Sequence, residues 1–91
     1  MVRVSERVSM TRNDVATELK KLLARYVGDV ALTEQMGFID DLGLDSIRVM
    51  DIVADLQDHF GVEVPLGALQ RLHTFGDVVS EVFEAVERKN P

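Results

Sequence analysis

Cysteine is absent from this 91-residue chain. The missing thiols exclude both a disulfide framework and a cysteine-ligated metal site, and they leave the protein without a thiol of its own. Long apolar runs are missing as well, since no stretch approaches the roughly 18 residues that a membrane helix needs. Residues 1–10 also lack the apolar centre of a signal peptide. We therefore expect a cytoplasmic protein that does not bind a membrane, and we interpret residues 1–10 as a loose arm.

The apolar fraction of 46% is high enough for a packed core, so we expect one small domain over residues 11–90. The formal charge of −6 is concentrated in residues 34–64, where eight acidic side chains stand against one basic side chain. That segment carries −7, and the rest of the chain carries +1. An acidic surface of this kind argues against nucleic acid and predicts a basic partner surface. A solvated acidic face without a partner is the other interpretation.

Three segments with apolar residues at helical spacing predict three main helices. The first is capped by Thr11 or Asn13 and ends at Gly28. The second covers residues 46–60 and ends at Gly61, a residue type that favours the end of a helix. Its wide apolar stripe predicts a central place in the bundle.

The rest of the chain adds a third main helix, a short helix and a long connection. Thr74 caps the last main helix, and Pro65 fits the first position of a short helix over about residues 66–72. Residues 29–44 form a connection of 16 residues, which is long for so small a domain. Its apolar side chains should pack onto the helices and order it: Val30, Leu32, Met36, Phe38, Ile39 and Leu42. The predicted fold is all-α, a small four-helix bundle of three main helices plus one short helix, with a long ordered loop between helices 1 and 2.

The surroundings of Ser46 do not support catalysis. A nucleophilic serine needs a positioned base and an oxyanion hole, and residues 44–48 do not form the G-x-S-x-G elbow. His59 lies about 20 Å of helix rise away on the same predicted helix, too far to serve as the base. We expect His59 and His73 to be surface residues, with His73, in the turn before the last helix, as a candidate partner contact. An enzyme is the least favoured class.

Three aspartates near Ser46 do not match a known cation site. Asp40, Asp41 and Asp45 suggest a calcium loop, but the EF-hand spacing fails from either start. The glycine required at position six and the glutamate required at position twelve are both missing. The sequence therefore predicts no dedicated metal site.

Asp45 and Ser46 allow two interpretations. A helix N-terminus favours a phosphate ester on a hydroxyl at this position, because backbone N–H groups and the positive end of the helix dipole both face it. Alternatively, Asp45 or Ser46 serves only as the N-cap of the second helix. The residue pair alone does not decide between them.

A longer pattern surrounds this pair. Phe38, Asp41-Leu42-Gly43 and Asp45-Ser46-Ile47 lead into the apolar and acidic second helix, and Gly61-Val62-Glu63-Val64-Pro65 and Thr74-Phe75-Gly76-Asp77-Val78 follow it. Together they resemble the phosphopantetheine-attachment motif of acyl and peptidyl carrier proteins. The resemblance covers about residues 15–86, nearly the whole domain, and its central motif is specific.

The resemblance implies a role for each central residue. Ser46 would take a 4′-phosphopantetheine arm from coenzyme A, delivered by a separate phosphopantetheinyl transferase, and Asp45 would help to receive that enzyme and its metal-bound coenzyme. The arm ends in the thiol that this chain lacks, so the protein would hold acyl or aminoacyl groups as thioesters without catalysing a reaction. The further partners implied are an acyl- or aminoacyl-loading enzyme and downstream transferase or condensing enzymes. We expect the carrier to be a monomer.

Residues that follow the serine form a candidate partner surface. An acidic helix beginning at the attachment point would steer basic enzymes toward it while keeping their complexes weak and salt-sensitive. Ile47, Val49 and Met50 offer an apolar rim, although core packing explains Met50 and one of its neighbours equally well. The candidate partner-binding residues are Ile47, Arg48, Val49, Met50, Asp51, Asp55 and His73.

Two positions depart from the fatty-acid-synthase version of the motif. Arg48 stands where an acidic or small polar residue is usual, and Leu44 stands where alanine is frequent. The segment looks more like stand-alone carriers of polyketide or nonribosomal peptide pathways, including aryl carriers, and we hypothesise that Arg48 selects partners. One alternative is a fatty-acid-synthase acyl carrier protein. Another, from a different class, is a non-catalytic helical interaction module in which Asp45 and Ser46 only cap the helix.

Overall fold

Four helices and the segments between them make up residues 10–89, the range that the computed structural model describes. The helices are α1 (Arg12–Val27), α2 (Ser46–Phe60), α3 (Leu66–Leu69) and α4 (Phe75–Lys89), and no β-strand occurs within that range. The predicted all-α bundle of three main helices plus one short helix is confirmed.

The predicted domain limits fall partly outside the described range. Residues 1–9 of the expected arm and residue 90, the expected domain end, lie beyond it. Met10, which we assigned to the arm, packs against the core and belongs to the domain. Between residues 10 and 89, none of the helices combines the length and the apolar character that crossing a bilayer requires.

The long helices begin and end at residues suited to those positions. At the start of α1 the Thr11 hydroxyl accepts a hydrogen bond from the Asp14 N–H at 3.0 Å, and the Asp14 carboxylate accepts one from the Thr11 N–H at 3.0 Å. This reciprocal capping box identifies Thr11, and not Asn13, as the cap. Helix α2 ends at Gly61, whose φ of 66° lies in the left-handed region that glycine adopts at low cost.

Helix α3 is shorter than predicted. It ends at Leu69 and not near residue 72, and Pro65 is its N-cap and not its first residue. Beyond Leu69 the chain continues with tighter i to i+3 hydrogen bonds: the Arg71 N–H donates to the Ala68 carbonyl at 2.9 Å, and the Leu72 N–H to the Leu69 carbonyl at 3.2 Å. Leu66, Leu69 and Leu72 lie three residues apart, and this spacing reflects a 3₁₀-like turn after a single turn of α-helix.

Helix α1 occupies the centre of the packing. It packs most extensively against α4 and next against α2, although the wide apolar stripe had predicted the central place for α2. The reason is that α2 leaves Ile47 and Met50 exposed at its start and buries only three side chains, Ile52, Val53 and Leu56. The largest fully buried side chains come from all three long helices: Val15, Leu19, Leu23, Ile52, Leu56, Phe75, Val79 and Val82.

The connection between α1 and α2 is held by its own apolar residues. Leu32 and Phe38 are buried, and Met36 packs against the core with part of its surface, as expected. Val30 and Ile39 are 40% and 59% exposed, so the prediction that they pack onto the helices was wrong. Ile39 instead lines a surface groove next to the start of α2.

Backbone hydrogen bonds attach this connection to the turn before α4. The Phe38 N–H donates to the His73 carbonyl at 3.0 Å, and the Gly76 N–H donates to the Glu34 carbonyl at 2.9 Å. The two segments run antiparallel, with an isolated bridge at Gly37. The pairing fixes the segment that leads into α2 against the start of α4.

Arg12 reinforces the same junction with its side chain. Its guanidinium donates to both carboxylate oxygens of Glu34, at 2.5 and 2.9 Å, and to the Ser80 hydroxyl at 2.9 Å. The hydrogen bond from Arg12 lowers the pKa of the Glu34 carboxyl. The first turn of α1, the connection and α4 thus meet in one hydrogen-bonded group.

We predict that Gly76→Ala destabilises the fold, because the junction has no room for a side chain. A Cβ at Gly76 would lie 2.9 Å from the Glu34 carbonyl oxygen and 3.0 Å from the Glu34 Cβ. We expect a loss of about 1–3 kcal/mol in the free energy of unfolding, measured by urea denaturation. Gly67→Ala is the matched control, since a Cβ at Gly67 meets no atom within 4 Å. Equal stability of the two variants would contradict the prediction.

A second expectation concerns Asp77, which lies in the first turn of α4 and whose carboxylate binds the backbone of the capping residue Thr74. Its carboxylate accepts hydrogen bonds at 3.0 Å from the N–H groups of His73 and Thr74, and its own N–H donates to the Thr74 hydroxyl at 3.1 Å. Burial alone would raise the pKa of Asp77, but these hydrogen bonds outweigh it and lower the pKa below its ordinary value. Its stabilising contribution is therefore complete above the unfolded-state pKa of about 4 and is lost as the pH falls through the lower folded-state pKa.

We predict that Asp77→Asn lowers the free energy of unfolding by about 1 kcal/mol at pH 7. The difference from the parent should shrink as the pH is lowered from about 5 toward about 3, because protonated Asp77 then resembles asparagine. Urea denaturation at a series of pH values measures both effects. Asp29→Asn, which removes an exposed carboxylate with no hydrogen bond within residues 10–89, should show neither. A difference that stays constant over this pH range would disprove the role of the Asp77 charge.

Candidate functional site at the start of the second helix

The segment before α2 is folded into a closed turn. The Gly37 carbonyl accepts hydrogen bonds from the N–H groups of Asp41 and Leu42 at 3.0 and 3.1 Å, and the Asp41 carboxylate accepts one from the Gly37 N–H at 2.7 Å. Gly43 has a φ of 69°, a left-handed conformation that favours glycine. Asp41 and Gly43 of the sequence motif therefore shape the turn that sets the position of α2.

Asp45 is the N-cap of α2. Its carboxylate accepts a hydrogen bond from the Arg48 N–H at 2.8 Å, and its carbonyl accepts the first bond of the helix from the Val49 N–H at 3.0 Å. Ser46 is the first helical residue, and its side chain is exposed. The capping function therefore belongs to Asp45, and the Ser46 hydroxyl makes no hydrogen bond within the described part of the chain.

Ser80 provides a useful comparison within the same fold. Its hydroxyl is half-buried and accepts the hydrogen bond from the Arg12 guanidinium at 2.9 Å. Ser46 and Ser80 are the serines of the described range, since Ser5 and Ser9 lie outside it. Ser46 is thus the serine between residues 10 and 89 whose hydroxyl is available for modification.

A surface groove of about 420 Å³ begins at Ser46. One wall is the start of α2, and the other is formed by the end of α3 and the turn that follows it. The wall side chains that contact the groove are mainly apolar, with polar groups at its edges. The residues that line it are Gly37, Phe38, Ile39, Asp40, Ser46, Val49, Met50, Leu69, Gln70, Leu72 and His73.

The apolar rim predicted on α2 lies at the surface. Ile47 is 72% exposed and Met50 is 49% exposed, whereas Val49 is half-buried beside the groove. Core packing therefore does not account for Met50. Sequence reasoning did not identify Leu66, which is 80% exposed on α3, or Gln70 in the groove. Leu66 is of the same residue type as the packed leucines near it, and Gln70 is of a type that is usually solvated, so neither stands out in the sequence.

The acidic residues of α2 differ in their availability. Asp51 and Asp58 are exposed, and so is Arg48, which has no ion-pair partner in residues 10–89. Asp55 is half-buried and accepts a hydrogen bond from the Tyr26 hydroxyl of α1, which raises the pKa of Tyr26. The structure therefore brings Arg48 and Asp51 to the surface beside Ser46 and directs Asp55 toward the contact between α1 and α2.

The two histidines occupy different places. His59 lies near the far end of α2, where its Nε2 is 3.3 Å from a carboxylate oxygen of Glu18. His73 is exposed at the edge of the groove that begins at Ser46. Within the described range no three metal-ligating side chains lie close enough to hold an ion. What this site offers chemically is one free hydroxyl beside an apolar groove.

Comparison with known proteins assigns this geometry to a family. Residues 14–82 match the family model described as the phosphopantetheine attachment site. Among solved structures, the chain is similar to the acyl carrier protein of Enterococcus faecalis, described for its high thermal stability, with 31% sequence identity and a TM-score of 0.71. The match covers 84% of this chain and 99% of that one.

The family match spans most of the domain and contains the whole site. It confirms that the cofactor of the domain is 4′-phosphopantetheine, attached covalently to a serine, and that the protein is a carrier and not an enzyme. Such a carrier works with a modifying enzyme and with further partner enzymes. This chain belongs to the phosphopantetheine-attachment family of carrier proteins.

Proposed function

We propose that Ser46 is the modified serine and that the chain holds acyl or aminoacyl groups as thioesters on its phosphopantetheine arm, in polyketide or nonribosomal peptide biosynthesis. The observation that carries the proposal is the free, exposed hydroxyl of Ser46. The other serine of the matched region, Ser80, is bound by Arg12. We propose a cytoplasmic, monomeric carrier.

The residues around Ser46 fit a phosphate ester. The N–H groups of Ser46 and Ile47 precede the first hydrogen bond of α2 and have no partner there, and the positive end of the helix dipole lies at the same place. Both features favour the negative charge of a phosphodiester on the Ser46 oxygen. Asp45 keeps this end of the helix ordered without using the hydroxyl.

The bound arm supplies a terminal thiol, the group that forms thioesters and that this chain lacks. The chain's own contribution is to fix the attachment point and to present it. Residues 37–44 hold the start of α2 through the closed turn at Gly37, while the groove beside Ser46 gives the arm a surface to lie on.

Partner enzymes would meet a surface that combines charge and apolar contact. Asp51 and Asp58 are exposed acids on α2, and Ile47 and Met50 are exposed apolar side chains near Ser46. Acidic groups accelerate the encounter with basic enzymes, and a small apolar patch adds short-range affinity without a stable complex. We propose this surface for a phosphopantetheinyl transferase, for an acyl- or aminoacyl-loading enzyme and for downstream transferase or condensing enzymes. Asp55 and His73 remain proposed contacts at its edges.

The proposed polyketide or nonribosomal peptide pathway depends on Leu44 and Arg48, the two positions at which the motif departs from fatty-acid-synthase carriers. Leu44 is buried, so its side chain belongs to the packing of the turn, whereas Arg48 is exposed beside Ser46, where a partner enzyme would contact it. An acyl carrier protein of fatty acid synthesis is the alternative, favoured by the similarity to the Enterococcus faecalis acyl carrier protein. The two differ in the loading enzyme that recognises Arg48.

The first test compares three proteins after incubation with coenzyme A and a broad-specificity phosphopantetheinyl transferase. We predict that the intact mass of the parent and of Ser80→Ala rises by one phosphopantetheinyl group and that the mass of Ser46→Ala does not change. Ser80→Ala is the matched control, because it removes the other serine hydroxyl of the matched region. The proposal would be contradicted if Ser46→Ala gained the group. It would also be contradicted if the folded parent gained none from a transferase shown to be active on another carrier. The second result would favour an interaction module.

Charge changes beside Ser46 should alter the rate of modification. We predict that Asp51→Lys lowers kcat/KM of the transferase for the carrier by roughly 3- to 10-fold at low salt and that Arg48→Asp raises it, because we expect the acidic surface to attract a basic partner. High salt should reduce both effects. Glu84→Lys makes the same charge change as Asp51→Lys at an exposed site on α4 and should have little effect.

The same variants test whether Arg48 selects partners. If it does, Arg48→Asp changes the rate of loading by the pathway enzyme by a different factor from the rate of modification by the transferase. If Arg48→Asp changed the rates of both enzymes by the same factor, Arg48 would have only a general electrostatic effect and would not select partners. Equal effects of Asp51→Lys and Glu84→Lys would show that the net charge of the protein, and not the surface beside Ser46, governs the rate.

A further inference from the structure

We propose that His73 and Gln70 form a polar contact site that holds the phosphopantetheine arm in the groove beside Ser46. The inference rests on the proposed modification of Ser46 and assigns a role to two residues on the opposite wall. Its occupant is the amide-bearing middle of the arm. His73 and Gln70 act as positioning residues, because they do not take part in forming the thioester.

The tether makes the arm the natural occupant of the groove. Ser46 itself lines the groove together with Gln70 and His73, so a group attached to its hydroxyl begins in the groove. The groove has a volume of about 420 Å³, and buried Phe38 is among the residues that line it. A covalent tether keeps the local concentration of the arm high, so that weak contacts suffice to hold it.

The chemistry of the two walls matches the chemistry of the arm. Phosphopantetheine carries a geminal dimethyl group and two secondary amides. Val49, Met50 and Leu72 offer apolar contacts for the methyl groups but no partner for an amide. Gln70 offers both a donor and an acceptor, and the His73 ring offers one of each when neutral or two donors when protonated.

The backbone fixes the place of His73. Its N–H donates to the Asp77 carboxylate at 3.0 Å, and its carbonyl accepts from the Phe38 N–H at 3.0 Å. The imidazole makes no hydrogen bond of its own within residues 10–89, so its nitrogens are free to bind a ligand. The ring is thus held at the groove edge by the same junction that positions Ser46.

The charged groups close to His73 in space or in sequence come from three elements. Asp40 of the connection lines the groove, Asp77 of α4 binds the His73 backbone, and Arg71 precedes His73 in the turn and donates to the Gly67 carbonyl at 3.3 Å. These groups are present with and without the arm. A change in the His73 ring resonances on modification therefore reports the arm itself.

The experiment is an NMR comparison of the full chain before and after modification, with intact mass confirming one arm on Ser46. We expect the ring resonances of His73 to move in the modified protein at constant pH, because an arm amide that hydrogen-bonds to the ring changes the environment of its nitrogens. His59 is the internal control: it lies about 20 Å along α2 and should not shift. Cross-peaks between the His73 ring protons and the geminal methyl protons of the arm should appear.

Added salt and substituted variants distinguish a direct contact between the arm and His73 from a long-range effect of the phosphodiester charge. A shift caused only by the added phosphodiester charge should disappear at about 0.5 M salt, whereas a direct contact should persist. In His73→Ala/Gln70→Ala the cross-peaks between the arm methyl groups and Met50 should lose most of their intensity, while His59→Ala should keep them. Unchanged cross-peaks in the double variant, equal shifts of both histidines, or no shift of His73 in modified protein would overturn the inference. Absence of modification at Ser46 would instead overturn the proposed function, and the mass separates the two cases.

Discussion

The close approach of the connection to α4 at Gly76 is the constraint on which the rest of the structure depends. Since Gly76 has no side chain, the Glu34 carbonyl reaches its N–H at 2.9 Å. This contact brings the connection close to the turn before α4, where the Phe38 N–H donates to the His73 carbonyl. The turn closed on Gly37 comes next along the chain. The site at Ser46 is therefore positioned by backbone hydrogen bonds of a loop. A loop can hold a helix start so firmly because its polar groups are paired and its apolar side chains are buried.

Asp45 and Ser46 have separate roles at the start of α2: Asp45 caps the helix, and Ser46 leaves its hydroxyl free. A serine at a helix start commonly caps the helix, and its hydroxyl is then occupied by a backbone N–H. Here Asp45 makes that bond, so Ser46 stays exposed without loss of helix stability. The same end of α2 leaves Ile47 and Met50 in solvent, which costs hydrophobic stabilisation. The first turn of α2 thus departs from the best choice for folding at the place where we propose that recognition occurs.

Much of the fold could be predicted from the sequence, because helix periodicity and capping residues are local signals. Thr11, Gly61 and Thr74 all mark helix limits that the structure has. The exposure of Ile39 could not be predicted, since an apolar loop residue has no period that gives its direction. The central place of α1 was also missed, because the apolar stripe of α2 contains both core and surface residues. For the proposed site, the motif predicted Ser46, whereas Gln70 comes to line the same groove only when the chain is folded.

Recognition at the proposed partner surface would act over two distances. The exposed carboxylates of Asp51 and Asp58 act over about one Debye length, roughly 8–10 Å, and do not distinguish one basic enzyme from another. The groove acts only on contact, and the two ends of its second wall differ: His73 is held by its backbone hydrogen bonds, whereas α3 has only Ala68 fully buried and leaves Leu66 in solvent. The α3 end of the wall can therefore shift at little cost to the core, which is held by the three long helices. A carrier must release each partner and its cargo in turn, so long-range attraction combined with shallow, weakly anchored contacts suits that requirement better than a deep, rigid pocket.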